Sequence, residues 1–470
     1  MTAESETMAV PGKSRLLVKI AGFCFLIGLL LLPFDTFPYF RRILREIGSV
    51  ASFYPFTAGL VLFAGSLVFL RKFPLRVPSE DLSFKLAVLF FLWVGVSLAV
   101  NWGEISTAVF KGRSGGVKGI LQFIMLAYCL IVSLYAFHVV PTLKNGSSRV
   151  ELFILLSFAI PAIFSVLEIL YLYKLSQGEW LTFLRPLISD DHRLYARLRS
   201  VSGEPTSFAF YCAFLAPWLM RRVISEKAGK LLLYTAISAY LLFLIILTLS
   251  KAAYIMTLSG LSIFLVLAYF RSLNRRRVVL AGGGLICLCW LFNVIAPTVT
   301  VYSGEVVRNP ISGMFHGVGN MSANVRLAAQ IATFRVANAS PLFGVGFAQA
   351  GFHMHKYIHN WGSLWPEEVN NWRDGTPGTP WAPSHGLHAR IAAETGNTGL
   401  ILWLGMWISI GIALLRRTMR TTGDTALQGA VLCAAIFSCV LMGFNMDSFK
   451  FFEYWVSLGL GWVYLRTTSA

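Results

Sequence analysis

The chain alternates between long apolar runs and shorter polar segments along most of its length. Twelve apolar runs approach the length of about 20 residues that a membrane-spanning helix needs. Each run is expected to be helical, because a helix satisfies its own backbone hydrogen bonds in lipid without closing a barrel. The predicted spans are residues 17–34, 52–70, 84–100, 117–139, 150–173, 206–221, 231–249, 252–270, 278–298, 398–415, 426–444 and 449–466.

Two longer polar segments interrupt this series and divide the chain into three parts. Residues 1–302 hold the first nine predicted spans, with a polar loop near residues 174–205 between the fifth and the sixth. Residues 303–397 form a large polar loop, and residues 398–470 hold the last three spans. The large loop is too long for a plain connector, so we expect it to fold over one face of the membrane as a cap.

The large polar loop predicts three kinds of local structure. Asn324 to Ala337 has apolar residues at helical spacing and predicts a helix. The Gly-rich stretch from Pro341 to Phe352 predicts turns, and the aromatic, proline-rich stretch from Trp361 to Trp381 predicts an irregular loop that closes over a substrate. The tryptophans of this loop are suited to stack on sugar rings or to anchor at the membrane interface. They are Trp361, Trp365, Trp372 and Trp381.

Composition excludes a soluble globular protein, since 56% of the residues are hydrophobic and 13% are charged. The formal net charge of +18 is expected to reflect cytoplasmic loops, where Lys and Arg collect in membrane proteins, and no nucleic-acid partner is predicted. The seven cysteines all lie within apolar runs and include no CxxC pair, which predicts small lipid- or core-facing side chains. The polar N-terminus predicts that the first span is retained.

Basic residues set the predicted orientation, with both termini in the cytoplasm. If Lys13 and Arg15 are cytoplasmic, nearly every other basic cluster falls on the same side. The clusters that agree are Arg71, Lys72 and Arg76; Lys144 and Arg149; Arg221, Arg222, Lys227 and Lys230; Arg271 and Arg275 to Arg277; Arg416, Arg417 and Arg420; and Arg466. Two sets in outer loops violate the rule, and they predict an interfacial helix against anionic head groups or else a miscounted early span. They are Arg41, Arg42 and Arg45, and Lys111, Arg113 and Lys118.

This orientation places four cationic or titratable residues together on the outer side, at the mouths of spans: Arg199, Lys251, Arg326 and His385. A single arginine at a span end more often snorkels to lipid phosphates. Lys251 fits that explanation poorly, because the seventh and eighth runs are almost continuous across it and a lysine there is costly unless it faces a wet cavity. Arginine forks suit phosphate oxygens, so two or three such cations are suited to hold a diphosphate.

His385 opens the stretch HGLHARIAAETG, directly before the tenth span. On a helix His385 and His388 share a face, and Arg390 and Glu394 are spaced to pair. Histidine suits proton transfer near neutral pH, and neighbouring cations favour its neutral form. For a single histidine a structural role is nevertheless the commoner one.

Two further patterns are weaker. His353, His355 and His359 lie close together in HMHKYIH, but no acidic partner or cysteine set accompanies them, so no metal site is predicted. The stretch GVGFAQAG follows no predicted strand, which argues against a nucleotide site.

Together these residues resemble the membrane superfamily of O-antigen ligases and O-antigen polymerases. The resemblance rests on RLRSVSGEPTSFAF before one span, TLSKAA at a tight outer turn, NVRLAAQIATFRVANASPLFGVGFAQ, and HGLHARIAAETGNTGLILWL. It covers approximately Arg199 to Leu415. It implies an all-α, GT-C-like glycosyltransferase of the bacterial inner membrane, with its active site facing the periplasm, an inverting mechanism, and no metal or other cofactor.

The resemblance also implies substrates and site residues. The donor is a glycan on undecaprenyl diphosphate, and the acceptor is a sugar hydroxyl of another repeat unit or of the lipid A core. Arg199 and Arg326 match family arginines expected to bind the diphosphate, and His385 matches the histidine proposed to activate the acceptor hydroxyl. Lys251 stands where an arginine is usual, and Gly386 where an asparagine is usual, so His388 or Ser384 is expected to substitute for that asparagine. Supporting roles are expected for His388, Glu204, Arg390 and Glu394.

Within the superfamily, the GEPTSFA stretch favours a polymerase slightly over a ligase. A transporter or flippase is the alternative of another class, but it predicts charge in the middle of spans or an inverted repeat, and neither is clear. A non-catalytic scaffold for polysaccharide assembly proteins is a third reading. Membrane lipids, and such assembly proteins, are the further partners predicted.

Overall fold

The computed structural model describes residues 12–39, 46–70, 77–191, 197–271, 274–287, 321–358, 367–379 and 381–469. Within these ranges the chain is mostly helical, and its strands are the short antiparallel pair β1 (Val109–Phe110) and β2 (Arg113–Ser114). In chain order the helices are α1 (Gly12–Leu30), α2 (Phe53–Leu70), α3 (Leu82–Val100), α4 (Trp102–Thr107), α5 (Gly115–Val139), α6 (Gly146–Leu156), α7 (Ala159–Leu172), α8 (Glu179–Ile188), α9 (Pro205–Ser225), α10 (Ala228–Leu247), α11 (Lys251–Arg271), α12 (275–287), α13 (Met321–Ala339), α14 (Ala350–His353), α15 (Glu367–Arg373), α16 (Leu387–Thr418), α17 (Gly423–Met442) and α18 (Phe452–Ser469).

Seven helical segments of the described chain are long and apolar enough to cross a membrane, which agrees with a polytopic membrane protein. They are Leu82–Val100, Gly115–Thr142, Gly146–Leu172, Gly229–Leu247, Lys251–Arg271, Leu387–Thr418 and Gly423–Met442. Two shorter apolar helices, Leu16–Leu30 and Phe53–Val68, match the first two predicted runs. The predicted total of twelve spans stays a prediction, since the ninth run (278–298) continues beyond the described residues.

Two further predicted spans correspond to helices of lower hydropathy, α9 and α18. Nearly all of α9 is buried within the protein, and so is most of α18. A helix enclosed by other helices does not need the continuous apolar surface that lipid requires, so polar and small residues are tolerated along it. This explains why the two helices carry a weaker apolar signal than the runs around them.

Contacts between loops join segments that were predicted to lie on the same side. On the predicted outer side, the Gly203 amide donates to Asp35 Oδ1 at 2.8 Å, and Gln349 Nε2 donates to the Gly115 carbonyl at 3.0 Å. Lys450 Nζ also donates to the Asp35 carbonyl, at 3.2 Å. Five different outer loops or helix ends are therefore in contact at this end of the helix bundle.

The predicted inner segments meet at the opposite ends of the same helices. Arg221 forms ion pairs with Glu151 at 2.6 Å and with Asp424 at 2.7 Å, and Arg222 pairs with Glu151 at 2.8 Å. These contacts join the last turns of α9 to α6 and to the start of α17. The bundle thus has two polar ends, each built from loops that the basic-residue pattern assigned to one side.

The large polar loop has a small hydrophobic core of its own. Buried residues of α13, α14, α15 and the first part of α16 form one cluster, which includes Val325, Met354 and Trp372. The predicted helix from Asn324 to Ala337 is confirmed within α13. The predicted turns are confirmed as well, with positive φ angles at Gly344 and Gly346.

One prediction for this loop is wrong in part. The stretch from Trp361 to Trp381 was expected to be irregular, but it contains the helix α15, whose Val369 and Trp372 bury their side chains in the small core. The prolines and glycines that predict irregular structure lie mainly after the helix. Only Val369 and Trp372 are apolar within it, and two apolar residues do not make a helical pattern. Trp361 and Trp365 lie outside the described residues.

The basic residues of the second outer loop do not form the predicted interfacial helix. Lys111 and Gly112 have positive φ angles and form the tight turn of the β1–β2 hairpin, and Lys118 lies in the first turn of α5. A two-residue turn of this kind matches the natural twist of the two strands. The other predicted set, Arg41, Arg42 and Arg45, falls outside the described residues.

The helix α16 is two helices joined by a break. Gly396 has φ 70° and ψ −177°, which separates Leu387–Thr395 from the longer helix that begins at Asn397. The carbonyl oxygen of Leu342 lies where a Cβ at Gly396 would stand, so the Gly-rich turn packs directly onto the break. The short first helix therefore belongs to the polar cap, and the longer second helix is the tenth predicted span.

Candidate functional site

The loop between α17 and α18, residues 443–451, organises the outer end of the molecule. Its backbone carbonyls accept hydrogen bonds from two other segments of the chain. The amide of Leu387 donates to Met446 O at 2.7 Å, and the amide of His388 donates to Gly443 O at 3.2 Å. Gln330 Nε2 donates to Phe444 O at 2.8 Å. This loop, called the hub loop below, thereby joins α13 to the start of α16.

His385 projects from the segment just before α16. Its backbone has φ +48°, a left-handed conformation that is uncommon for residues other than glycine, asparagine and aspartate. Gln330 Nε2 holds this conformation by donating to the His385 carbonyl at 2.7 Å, so one amide group binds both His385 and the hub loop. The expectation that His385 shares a helix face with His388 is wrong, because the helix begins at Leu387.

The imidazole of His385 is half-buried and available for a ligand. Among the described residues no hydrogen-bond partner occupies either of its ring nitrogens, and its ring lies 6.0 Å from that of Trp372. Burial lowers the pKa of His385 to about 4, with Arg326 acting in the same direction and Asp447 opposing both. The imidazole is therefore neutral near pH 7 and able to accept a proton.

Asp447 of the hub loop is the carboxylate whose charge acts on the imidazole of His385. Its Oδ2 accepts a hydrogen bond from the Ser384 amide at 2.7 Å, and its carbonyl accepts one from Arg390 at 2.6 Å. The first bond fixes the carboxylate against the residue that precedes His385. Asp447 is thus placed to stabilise a positive charge that develops on the imidazole.

Arg326 lies on α13 and is half-buried, at the same end of the helix bundle as His385. One amino group of its guanidinium donates to Asn445 Oδ1 of the hub loop at 2.9 Å. Burial lowers the pKa of Arg326 and the charge of Glu204 raises it, but an arginine stays protonated throughout the physiological range. Since its hydrogen-bond partner is a neutral amide, its positive charge is not cancelled by that contact.

Glu204 precedes α9 and lies in a recess. The neighbouring residues 201–203 and 205–210 are buried, yet the Glu204 side chain is open to solvent. Protein nevertheless surrounds it on most sides, and this desolvation raises the pKa of Glu204, as does the charge of Asp35. Lys450 and Arg326 act in the opposite direction. The recess between α9, α13 and the hub loop therefore contains charges of both signs.

A second layer of charged residues lies behind the hub loop. Arg390 pairs with Glu394 at 3.0 Å, which confirms the predicted i,i+4 pair, and donates to Gln122 Oε1 at 3.1 Å. Gln122 Nε2 in turn donates to Glu46 at 2.8 Å, and Ser448 donates to the other oxygen of Glu46. Burial would raise the pKa of Glu46, but Lys450, Arg390 and these hydrogen bonds together lower it. The layer ties α5 and α16 to the hub loop.

His388 has partners for both ring nitrogens. Trp403 Nε1 donates to Nδ1 at 3.2 Å, so Nε2 carries the proton and donates to the Val440 carbonyl at 2.8 Å. The carbons and nitrogen of this ring also lie against Gly443, where a Cβ would not fit. His388 therefore holds the start of α16 against the end of α17. Of the two histidines, His385 is the one whose ring nitrogens have no partner among the described residues.

Arg199 is fully buried, and its guanidinium is used inside the protein. It donates to Gly203 O at 2.7 Å and Asp191 O at 2.9 Å, and it pairs with the Asp191 carboxylate at 3.4 Å. These bonds hold the turn that precedes Glu204. In this structure the guanidinium of Arg199 is buried and supports the turn before Glu204, and the predicted diphosphate contact stays a prediction.

Lys251 begins α11 and is half-buried. The turn before it is tied to the segment that precedes Arg199, because Arg197 donates to Thr248 O at 2.9 Å and to Leu249 O at 3.0 Å. Leu249 has φ +50°, so the predicted near-continuity of the two runs is broken by a strained turn. The turn before Lys251 is therefore bonded to the segment that precedes Arg199. Arg326 and the His385 segment are instead held together through the hub loop.

Among the residues that the structure describes, no cluster of three His, Cys, Asp or Glu side chains is suited to hold a metal ion. His353 ends α14 and His355 lies in the 3-10 turn after it. His359, the third histidine of that motif, is outside the described ranges.

Sequence reasoning missed the hub loop and with it Asn445, Asp447 and Lys450. The stretch FNMDSFK separates two apolar runs and by its length predicts a plain connection between spans. A signal was nevertheless present, because four polar residues in a connection of that length on the predicted outer side exceed what a turn requires.

Comparison with known families agrees with the resemblance found in the sequence. Residues 236–404 match a family model described as O-antigen ligase. The matched region includes Lys251, Arg326, His385, His388 and Arg390, and it ends before the hub loop. A search among curated proteins found no match.

Proposed function

We propose that this chain, a member of the O-antigen ligase and polymerase superfamily through residues 236–404, transfers a glycan from undecaprenyl diphosphate to a sugar hydroxyl. The transfer takes place at the outer end of the helix bundle, on the periplasmic face of the bacterial inner membrane. The observation that carries the proposal is His385: a neutral, half-buried imidazole whose ring nitrogens have no partner among the described residues, held beside Arg326 and Asp447.

The chemistry needs a base for the acceptor and a cation for the leaving group. The acceptor oxygen attacks the anomeric carbon of the donor from the side opposite the diphosphate, which inverts its configuration. The bond between that carbon and the phosphate oxygen breaks, and the electron pair leaves with the diphosphate. The hydroxyl proton passes to His385, and Asp447 stabilises the imidazolium that forms.

Arg326 supplies the positive charge near the leaving diphosphate. Its bond to Asn445 fixes the guanidinium through one amino group, which leaves further N–H groups for phosphate oxygens. A preorganised cation at developing negative charge is typically worth several kcal/mol of barrier, so it is the largest single contribution expected here. Lys251 is proposed to bind the same diphosphate from the turn beside the Arg199 segment.

Glu204 is proposed to bind hydroxyls of the sugar rings from its recess, and Arg199 is proposed to hold the turn that presents it. Arg390, Glu394 and His388 keep the start of α16 on the hub loop, so they support His385 without touching the substrate. We assign substrate contact to the residue that is open to solvent and supporting roles to the residues that are buried.

A polymerase that extends a lipid-linked glycan is the form we favour, on the GEPTSFA stretch. The match to a family described as O-antigen ligase favours the second candidate, in which the acceptor is the lipid A core. Incubation of the purified protein with a lipid-linked repeat unit, with and without lipid A core, separates the two. A ladder of products without the core indicates a polymerase, and a single addition that requires the core indicates a ligase.

The role of His385 is tested by His385→Ala in the same transfer assay. We expect turnover to fall by about 100-fold or more, as is typical when a general base is removed. His353→Ala is the matched control, since His353 is another half-buried histidine of the polar cap, and it should retain activity. Undiminished turnover by a folded His385→Ala variant would remove His385 from the mechanism.

A further inference from the structure

A cluster of cations and aromatic rings, here called the cation–aromatic cluster, lies beside the candidate site. It consists of Phe110, Arg113, Lys118, Phe352 and Trp381. Lys118 Nζ lies 4.0 Å from the centre of the Trp381 ring and 5.5 Å from that of Phe352. The guanidinium of Arg113 lies 5.2 Å from the Trp381 ring, and Phe110 and Phe352 both meet that ring edge to face.

The indole of Trp381 is fixed in place by its neighbours. Its Nε1 edge packs against Gly351, where a Cβ would collide with the ring. The hairpin that carries Phe110 and Arg113 is held as well, because Lys111 Nζ donates to the Asn371 carbonyl at 2.6 Å. The two cations are therefore held on a rigid frame, and little side-chain freedom would be lost on binding a ligand.

Arg113 and Lys118 take part in no ion pair within the part of the chain that the structure describes. Glu394 pairs with Arg390, and Glu46 accepts hydrogen bonds from Ser448 and Gln122. Both carboxylates attract Lys118 through space, but from beyond ion-pair distance. The faces of aromatic rings attract cations but do not cancel their charge.

These cations also lie where a membrane protein ordinarily avoids them. Arg113 is exposed and Lys118 is half-buried, both in the second predicted outer loop, and positive charge there opposes the usual bias toward the cytoplasm. The aromatic contacts explain how the cations are held. They do not explain why the chain places two positive charges at this point with no ion-pair partner among the described residues.

The cluster adjoins the site through two short connections. Trp381 lies a few residues before Ser384 and His385 in the chain. The backbone amide of Ser384 donates to the Asp447 carboxylate. On α5, Gln122 lies one turn after Lys118 and accepts the hydrogen bond from Arg390. A saccharide that presents a hydroxyl to His385 would therefore extend over the neighbouring surface formed by the cation–aromatic cluster.

We propose that the cation–aromatic cluster binds an anionic group, a phosphate or a carboxylate, on the acceptor saccharide. The cations neutralise the anion, and the edges of the aromatic rings provide apolar surface for the sugar that carries it. The inference rests on the proposed transfer, and it adds the class of acceptor: a negatively charged glycan rather than a neutral one. The donor diphosphate is bound separately, by Arg326 and Lys251.

Direct binding tests the inference without relying on transfer. His385→Ala protein, which should not turn over, is titrated with a lipid-free core oligosaccharide that carries phosphate and with a hexauronate, each beside a neutral counterpart made by phosphatase treatment or by esterification. We expect at least one anionic probe to bind more tightly than its counterpart, with an affinity that weakens as salt increases. Arg113→Gln combined with Lys118→Gln should weaken that binding about tenfold or more.

Matched variants separate the cluster from general charge and from folding. Arg335→Gln removes an exposed cation elsewhere on the polar cap and should leave binding unchanged. Lys118→Arg keeps the charge on the rings and should preserve binding, which guards against misfolding of the double variant. The inference is overturned if neither anionic probe binds above its neutral counterpart, or if the double variant binds like the native protein.

Two further results bear on the source of the anion and on the proposed function. If the double variant loses affinity for vesicles of phosphatidylglycerol but none for the saccharides, the cluster binds lipid head groups and the inference fails. If anionic saccharides bind at the cluster but the native protein transfers no glycan, the proposed function fails and the inference about binding survives.

Discussion

At the scale of single residues, His385 combines two properties that oppose one another. Its burial and the charge of Arg326 keep the imidazole neutral, which a base requires, but a pKa near 4 also makes it a weak base. A bound diphosphate would change this balance, because its negative charges favour the protonated imidazole. We therefore expect donor binding to raise the pKa of His385 toward neutrality.

This expectation predicts two different pH profiles. Activity requires the unprotonated imidazole, so it falls as pH drops below the pKa of His385. The profile of kcat/KM reports the free enzyme and should lose activity near pH 4, whereas the profile of kcat reports the complex and should lose it at higher pH. Both profiles are measured with detergent-solubilised protein at low and at saturating donor. Coincident acidic limbs would contradict the predicted effect of the diphosphate.

The sequence could predict the identity of His385 and Arg326, since each stands in a motif of local residues. It could not predict the conformation of His385, because the positive φ angle is stabilised by Gln330, 55 residues earlier in the chain. The burial of Arg199 is likewise outside the reach of a linear pattern. Its partners Gly203 and Asp191 are close in sequence, but the sequence does not show that the guanidinium lies inside the protein.

At the scale of secondary-structure elements, the break at Gly396 sets the direction in which the start of α16 enters the site. A β-carbon at this residue meets two obstacles: the left-handed φ of 70° and the Leu342 carbonyl. The cost of the conformation alone is about 1–2 kcal/mol for a non-glycine residue, and the contact adds to it.

Gly396→Ala is therefore expected to lower the melting temperature and to reduce transfer together, because the short helix behind His385 loses its position. Gly411→Ala is the matched control. Gly411 lies in the regular part of the same helix, and its added Cβ would meet Ile436 at an ordinary 4.0 Å. The helix preference of alanine should leave that variant as stable as the native protein or slightly more stable. Equal melting temperatures for the two variants would show that the break is not needed.

Most helices of the bundle could be predicted from the sequence, since long apolar runs leave few alternatives in a membrane. The helices α9 and α18 were predicted on weaker runs, and burial inside the bundle explains their weakness. The helix α15 was missed because two buried side chains, Val369 and Trp372, stabilise it through contacts with distant residues. Element boundaries at breaks such as Gly396 depend on packing that a periodic pattern does not contain.

At the scale of the whole molecule, the site exists because outer segments that are distant in sequence converge on one short loop. The hub loop is 443–451, and its partners come from as far away in sequence as Asp35 and Glu46. Such convergence cannot be read from a single sequence, which shows only that outer loops share a side. The sequence does predict on which side of the membrane each loop lies, through the distribution of Lys and Arg.

That predicted orientation can be tested by labelling single cysteines in a background with all seven native cysteines replaced. Lys356→Cys lies on the polar cap and Lys230→Cys lies after α9, at the opposite polar end, and both native side chains are exposed. If the cap faces the periplasm, a membrane-impermeant maleimide should label position 356 in intact spheroplasts and position 230 only after permeabilisation. Both positions must also react in detergent, which establishes that each thiol is accessible. The reverse pattern would place His385 and the hub loop in the cytoplasm, and the proposed periplasmic transfer would have to be abandoned even if the geometry of the site stood unchanged.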